Sequence, residues 1–173
     1  MEIKVPFYHI VNMLLAGLVL ITGGIFLFPD AASNMFSNVI LKVFSTSEVI
    51  PIICFVAISY ETGLIINRIG SVLIETILKK LHWIPYNDDY VKFNKKKNKN
   101  PIMHTLSREY ALSRTGIAVF LALAIMALFS ATKLAAIPFV LIAIIFYTSC
   151  RKHAKKIIAI MNEPEENNNA VKA

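Results

Sequence analysis

Residues Thr115–Cys150 read TGIAVFLALAIMALFSATKLAAIPFVLIAIIFYTSC, 36 residues in which Lys133 is the single charge. One helix of that length would be about 54 Å long at 1.5 Å per residue, against a bilayer core of about 30 Å. The stretch must therefore fold back on itself. A tight hairpin over Ser130–Ala135 turns it into two crossings, and two crossings return the chain to the side on which it entered.

Two further apolar runs precede it. The first, PFYHIVNMLLAGLVLITGGIFLF (Pro6–Phe28), is interrupted by His9 and Asn12 and stopped by Pro29 and Asp30. It is longer than the roughly 7 to 15 residues of a signal-peptide core and has only Lys4 as a basic flank, so an uncleaved span is expected. The second, VIPIICFVAISYETGLIIN (Val49–Asn67), is followed by RIGSVLIETILKKLHW, where apolar and charged residues alternate at helical spacing. That helix is expected to leave the membrane and continue into the cytosol. Composition agrees: 56% of the 173 residues are apolar and 17% are charged, well below the quarter or so typical of soluble domains, and mean hydropathy is +0.60. An ordinary soluble enzyme and a disordered chain are both excluded. The fold class is all-α, a polytopic membrane protein with four transmembrane helices of which the second and third extend into a cytosolic stalk.

The charge of +7 is distributed by topology. Fifteen of the 18 Lys and Arg residues lie before the first span, between the second and third, or after the fourth. Two, Lys42 and Lys133, lie in the opposite connections, and Arg68 falls within the second helix. Basic residues in short connections stay on the cytoplasmic side, so a bacterial inner-membrane protein with both termini cytoplasmic is expected. Residues 1–84 then comprise the first two transmembrane helices and a cytosolic extension, and residues 85–100 a basic loop. Residues 101–161 comprise a stalk helix, the last two spans and a basic juxtamembrane end; residues 162–173 form a polar tail expected to be disordered. Asn100 and Pro101 have the signature of a helix start, a cap followed by proline in the first turn.

The basic loop carries Lys95, Lys96, Lys97 and Lys99 interleaved with Tyr86, Tyr90 and Phe93. Lysines so placed serve topology and anionic headgroups. The sharper reading is a docking surface for an acidic cytosolic protein; direct binding of nucleic acid is not expected. Membrane lipids, a second copy of the chain and a cytosolic protein are the expected partners.

Ionisable residues at membrane depth are costly and are therefore informative. Glu61, Arg68 and Glu75 are spaced seven apart, with Ser71 on the same stripe, which places all four on one side of an uninterrupted helix. Two turns separate Glu61 from Arg68, too far for direct pairing. Partners must come from elsewhere, and His9, Asn12, Arg114 and Tyr147 share the required depth; Thr115 and Ser149 do as well. Small residues at Ser59 and Gly63, Ala118 and Ala122, Ala127 and Ala131, and Gly17 and Gly24 suit close helix packing, either within the bundle or between copies. No HExxH, GxSxG, phosphate-loop or GxGxxG pattern occurs, and His9, His82, His104 and His153 are scattered. Cys54 and Cys150 form no CxxC pair. Neither enzymatic activity, metal binding nor a cofactor is expected.

The segment AISYETGLIINRIGSVLIETILKK (Tyr60, Gly63, Arg68, Gly70, Glu75) and the later SREYALSRTGIAVF, with its Arg114-Thr115 step, resemble small four-span membrane proteins of bacterial anti-phage defence systems. The membrane subunit of the Kiwa system and the membrane accessory proteins of Cas13b loci are of this kind. The resemblance implies an oligomeric membrane sensor that couples an event at the envelope to a cytosolic partner, and it transfers no catalytic or binding residue. A homo-oligomeric pore or small transporter with a path at Glu61 is the alternative function.

Overall fold

The computed structural model describes residues 7–35, 49–85 and 89–163. Lys42, Tyr86 and positions 164–173 of the polar tail lie outside the described residues. The regular elements among the described residues are helical: α1 (Phe7–Leu27), α2 (Pro29–Met35), α3 (Val49–Lys80), α4 (Tyr90–Lys99), α5 (Pro101–Phe129) and α6 (Ala136–Asn162). Helices α1, α3 and α5, and α6 with the 3-10 turn at Lys133–Ala135, are long and apolar enough to cross a membrane. The chain is an all-α polytopic membrane protein.

The hairpin inside Thr115–Cys150 falls where length required it. Ser130 ends α5, its hydroxyl donating to the Ala127 carbonyl at 2.9 Å and accepting from the Thr132 N–H at 3.2 Å. Pro138 sits in the first turn of α6, where its missing N–H is harmless. The start of α5 is also as expected, with the Asn100 side chain accepting from the Ile102 N–H at 3.0 Å and Pro101 at the first position. Helices α3 and α5, at 32 and 29 residues, are each longer than a bilayer crossing requires. Both expected extensions are present, and α6 extends beside α5.

Two antiparallel hairpins make the bundle. Helices α5 and α6 are the most extensively packed pair and α1 and α3 the next, while α5 also touches α1, α3 and α4. Half of the apolar window of α5 is buried, against 17% to 22% in the other three. So α5 is the axis, and the remaining spans cover it while turning broad apolar faces outward. Leu123, Ala127, Val119 and Ala118 of α5 pack with Leu27 of α1 and Ile66 of α3 in one cluster. Toward the basic end Ile117 meets Leu78, Cys150 and Ala154. Phe120 stacks on Phe146 at 5.6 Å between centroids.

The α1–α3 contact depends on glycine. A methyl group at Gly17 would overlap the Ser59 carbonyl, and one at Gly63 would overlap the Met13 carbonyl. The Ser59/Gly63 pair is thus occupied inside the chain, which lets two backbones approach where lipid provides no hydrophobic drive for association. Helix α3 ends in a Schellman turn: His82 takes φ 56°, its N–H reaching the Lys79 carbonyl and that of Trp83 the Leu78 carbonyl, both at 3.0 Å.

The expected loop over residues 85–100 requires correction. Residues Tyr90–Lys99 form α4. The polar stretch has no buried apolar period. A carboxylate cap compensates, Asp89 accepting from the Lys92 N–H at 2.8 Å, and lysine is a good helix former whose charges suit the last turn. At the other end of the chain Asn162, placed by expectation in the tail, closes α6.

Replacing Gly17 by Val should destabilise the α1–α3 pair by about 2 kcal/mol. Gly24→Ala should be nearly neutral, because the nearest atom to the added carbon is the flexible end of Met126 at 3.2 Å. Reversible unfolding in mixed micelles measures both.

Candidate functional site

The sequence places Gly70 between Arg68 and Glu75, two residues after the arginine, and there α3 changes its winding. Residues Gly70–Ile74 form a π turn, with the Glu75 N–H bonded to the Gly70 carbonyl. Bonding to the fifth residue back takes up one extra residue, which rotates everything beyond it by about 100° relative to a continuous α-helix. The expectation that Glu61, Arg68, Ser71 and Glu75 share one side is thereby corrected. Glu61 and Arg68 are exposed on the outer surface of α3, while Ser71 and Glu75 are half-buried toward the bundle.

The rotation delivers Glu75 to α5. Gly70 lies so close to that helix that an added Cβ would be 3.2 Å from the Arg114 carbonyl oxygen. One turn on, the Arg114 guanidinium donates through Nη1 to Glu75 Oε2, and Lys79 pairs with Oε1 of the same carboxylate. The side chains of Arg114 and Glu75 are only 13% and 16% exposed, so water screens the pair weakly. Arg114 also lies over the Tyr110 ring at 5.7 Å, and its Nε–H is buried without a hydrogen-bond partner. Alongside, the Thr115 hydroxyl donates to Asn67 Oδ1 at 2.8 Å. The Ser113 hydroxyl reaches the Glu109 carbonyl at 2.8 Å and the Ser149 hydroxyl at 3.1 Å. A layer of polar contacts therefore crosses α3, α5 and α6 at one level.

Two cavities flank this layer. One, of about 220 Å3, lies between the end of α3, α4, α5 and α6, with Phe93, Tyr110, Ile157 and Met161 in its walls and Glu75 at its edge. The other, of about 190 Å3, lies between α1, α3 and α5, and Arg114 lines it together with His9, Asn12, Asn67 and Arg108. The ion pair stands between them: Glu75 lines the first and Arg114 the second.

Of the four expected partners for the polar stripe, Arg114 pairs with Glu75, whereas His9 and Asn12 line the second cavity. Tyr147 does something else, and its expected role is corrected: its hydroxyl donates to the Trp83 carbonyl at 3.3 Å, with the two rings edge to face at 5.9 Å. That contact pins the end of α3 to α6. Among the described residues neither Glu61 nor Arg68 forms an ion pair or hydrogen bond. The sequence reading missed Asn67 and the Tyr8 and Glu109 pair, whose hydroxyl and carboxylate are 3.4 Å apart. Asn67 carries a usable signal, since it falls between Gly63 and Gly70 on the face that packs inward.

The aromatic and basic residues of α4 divide by face. Phe93 is half-buried in the first cavity with Lys97 over its ring at 5.7 Å, so its ring is not open to a docking partner. Tyr90, Lys95 and Lys99 are exposed, whereas Lys96 and Lys97 are half-buried. Lys96 Nζ donates to the Glu163 carbonyl at 2.8 Å, fastening α4 to the end of α6. Among the described residues no three His, Cys, Asp or Glu side chains gather as a metal site.

Fold and site together define a polytopic, all-α membrane protein with a partitioned polar layer toward its basic end. No family model matches the chain, and no curated protein or solved structure matches it.

Glu75→Gln should cost about 2 kcal/mol, because it leaves the mostly buried Arg114 guanidinium without its carboxylate, and Arg114→Gln about 1 kcal/mol, because Lys79 stays on Glu75. The double variant should lose clearly less than the sum, with a coupling energy of 1 kcal/mol or more by order of magnitude. Unfolding in micelles across the double-mutant cycle measures it, and strict additivity would remove the pair from its place in the site.

Proposed function

We propose that the chain is a homo-oligomeric sensor and scaffold of the bacterial inner membrane, with both termini cytoplasmic. It couples perturbation of the bilayer, as during phage infection, to a cytosolic protein that docks on the basic helix. The supporting observation is the position of Glu75. It is a mostly buried charge near the end of the spanning helix α3, it is tied to α5 through Arg114, and it borders the cavity that seats Phe93 of α4. A change in the packing of α3 against α5 therefore reaches the seat of α4 through one side chain. Such a relay needs two packings of similar free energy, and a π turn beside a glycine contact is an element that can supply them.

Self-association rests on Glu61. It stands two residues from Ser59 and Gly63, which pack against the middle of α1, so its depth is near the bilayer midplane. A carboxylate facing lipid there costs about 2.5 kcal/mol or more on insertion scales, and a neighbouring copy removes that cost. The same observation supports a second reading, a pore or small transporter whose path runs past Glu61 between copies.

Charge on α4 is expected to recruit the partner. Replacing Lys95, Lys96, Lys97 and Lys99 together by Gln should abolish co-purification of an acidic cytosolic protein from the native host while membrane insertion persists. Undiminished recovery of the same partner would remove α4 from the docking role. Liposome flux separates the two readings: a scaffold is silent, whereas a pore conducts without a partner and responds to Glu61→Gln.

A further inference from the structure

The cavity between α1, α3 and α5 contains more hydrogen-bond donors than the chain uses. Asn67 commits its carbonyl oxygen to Thr115, which leaves its NH2 group as a donor. Arg114 also lines the cavity and commits Nη1 to Glu75, which leaves Nη2 as a donor. Arg108, whose guanidinium lies over the Tyr8 ring at 5.2 Å, supplies a second charge at the mouth, and Asn12 and His9 complete the polar wall. No carboxylate is among the lining residues. Two arginines and two amides around about 190 Å3, with Glu75 and Glu109 outside the lining and held by Arg114 and Tyr8, form a site for an oxyanion, and guanidinium forks are the side-chain geometry that matches phosphate.

Depth selects the source. Tyr8 and His9 stand in the first turn of α1, and on α5 Arg108 precedes the apolar run that begins at Thr115, so the mouth of the cavity is at the level of lipid headgroups under the topology proposed above. Met13 and Leu112 provide an apolar side beneath the charges. We propose that this cavity binds a phosphate group, supplied by an anionic membrane phospholipid whose headgroup sits between Arg108, Arg114 and Asn12. The consequence for the relay rests on the function proposed above: a phosphate on Arg114 competes with Glu75 for the same guanidinium, so occupancy of this cavity loosens the partition and alters the seat of α4.

The test uses the full chain, delipidated in a neutral detergent, with phosphatidylglycerol, phosphatidylcholine and inorganic phosphate as probes. Native mass spectrometry should retain one phosphatidylglycerol per chain about tenfold more tightly than phosphatidylcholine. Arg108→Gln and, separately, Asn12→Leu should each weaken that binding about tenfold without changing the melting temperature in lipid-free detergent. Equal retention by parent and both variants would overturn the site. If inorganic phosphate raises the melting temperature of the parent but not of Arg108→Gln, while phosphatidylglycerol has no effect, lipid is overturned as the source. Hydrogen exchange across residues 90–99 reads the relay independently. Faster exchange on adding phosphatidylglycerol supports competition at Arg114, and lipid binding with unchanged exchange overturns the relay while the site stands.

Discussion

A charged pair held between two apolar helices constrains everything around it. Arg114 opens the apolar run of α5 and Glu75 closes that of α3, and neither tolerates its position without the other. Bringing them together requires the axes of α3 and α5 to be close at Gly70, where even a methyl group would press on the Arg114 carbonyl. It also requires α3 to turn Glu75 inward, which a continuous α-helix carrying Arg68 outward does not do. The π turn meets that second requirement. Its cost in hydrogen-bond geometry is offset by the ion pair it allows.

The rest of the bundle follows from the absence of a hydrophobic drive inside a bilayer. Helices associate there through close backbone approach and polar contacts, and this chain uses the two at different levels. Near mid-membrane α1 and α3 interlock through Gly17, Ser59 and Gly63. Toward the basic end polar contacts take over, through Asn67 and Thr115, Glu75 and Arg114, and Ser113 and Ser149. Beyond that level the projecting parts of α5 and α6 pack as a soluble protein would, with α4 laid over them and Phe93 as its anchor. The polar layer is thus the boundary between two kinds of packing, which is why both cavities adjoin it.

The spans were legible in the sequence because a bilayer imposes a length: a largely apolar run of 36 residues cannot cross once, and Ser130 to Ala135 is where it turns. Asn100 and Pro101 announced the start of α5 through cap chemistry that acts within two residues. Arg114 stood among the candidate partners by depth alone. The identity of its mate was hidden because the seven-residue spacing of Glu61, Arg68 and Glu75 implies one face only while the winding is constant, and a π turn leaves no compositional mark. Helix α4 was hidden for another reason. Its stability comes from the Asp89 cap, from the seat of Phe93 and from Lys96 on the Glu163 carbonyl, none of which appears as apolar periodicity.

Glu61 is the residue that the single chain leaves unexplained. The glycines beside it are already used against α1, so the usual small-residue seam is not available on that face for joining copies. What α3 presents outward is instead a carboxylate near the midplane and, about 10 Å nearer the basic end, a guanidinium at Arg68. Arg68 has a stem long enough to carry its charge toward the interface. Glu61 is too short to do so, and under the self-association proposed above its burden falls on a neighbour. A neighbour that meets Glu61 also covers the exposed faces of Ile58 and Ile65, one turn to either side, and so adds packing to the relief of charge. In the assembly proposed above that contact would lie on α3, which carries Glu75 at its other end, so assembly and the partition between the two cavities would act on the same helix.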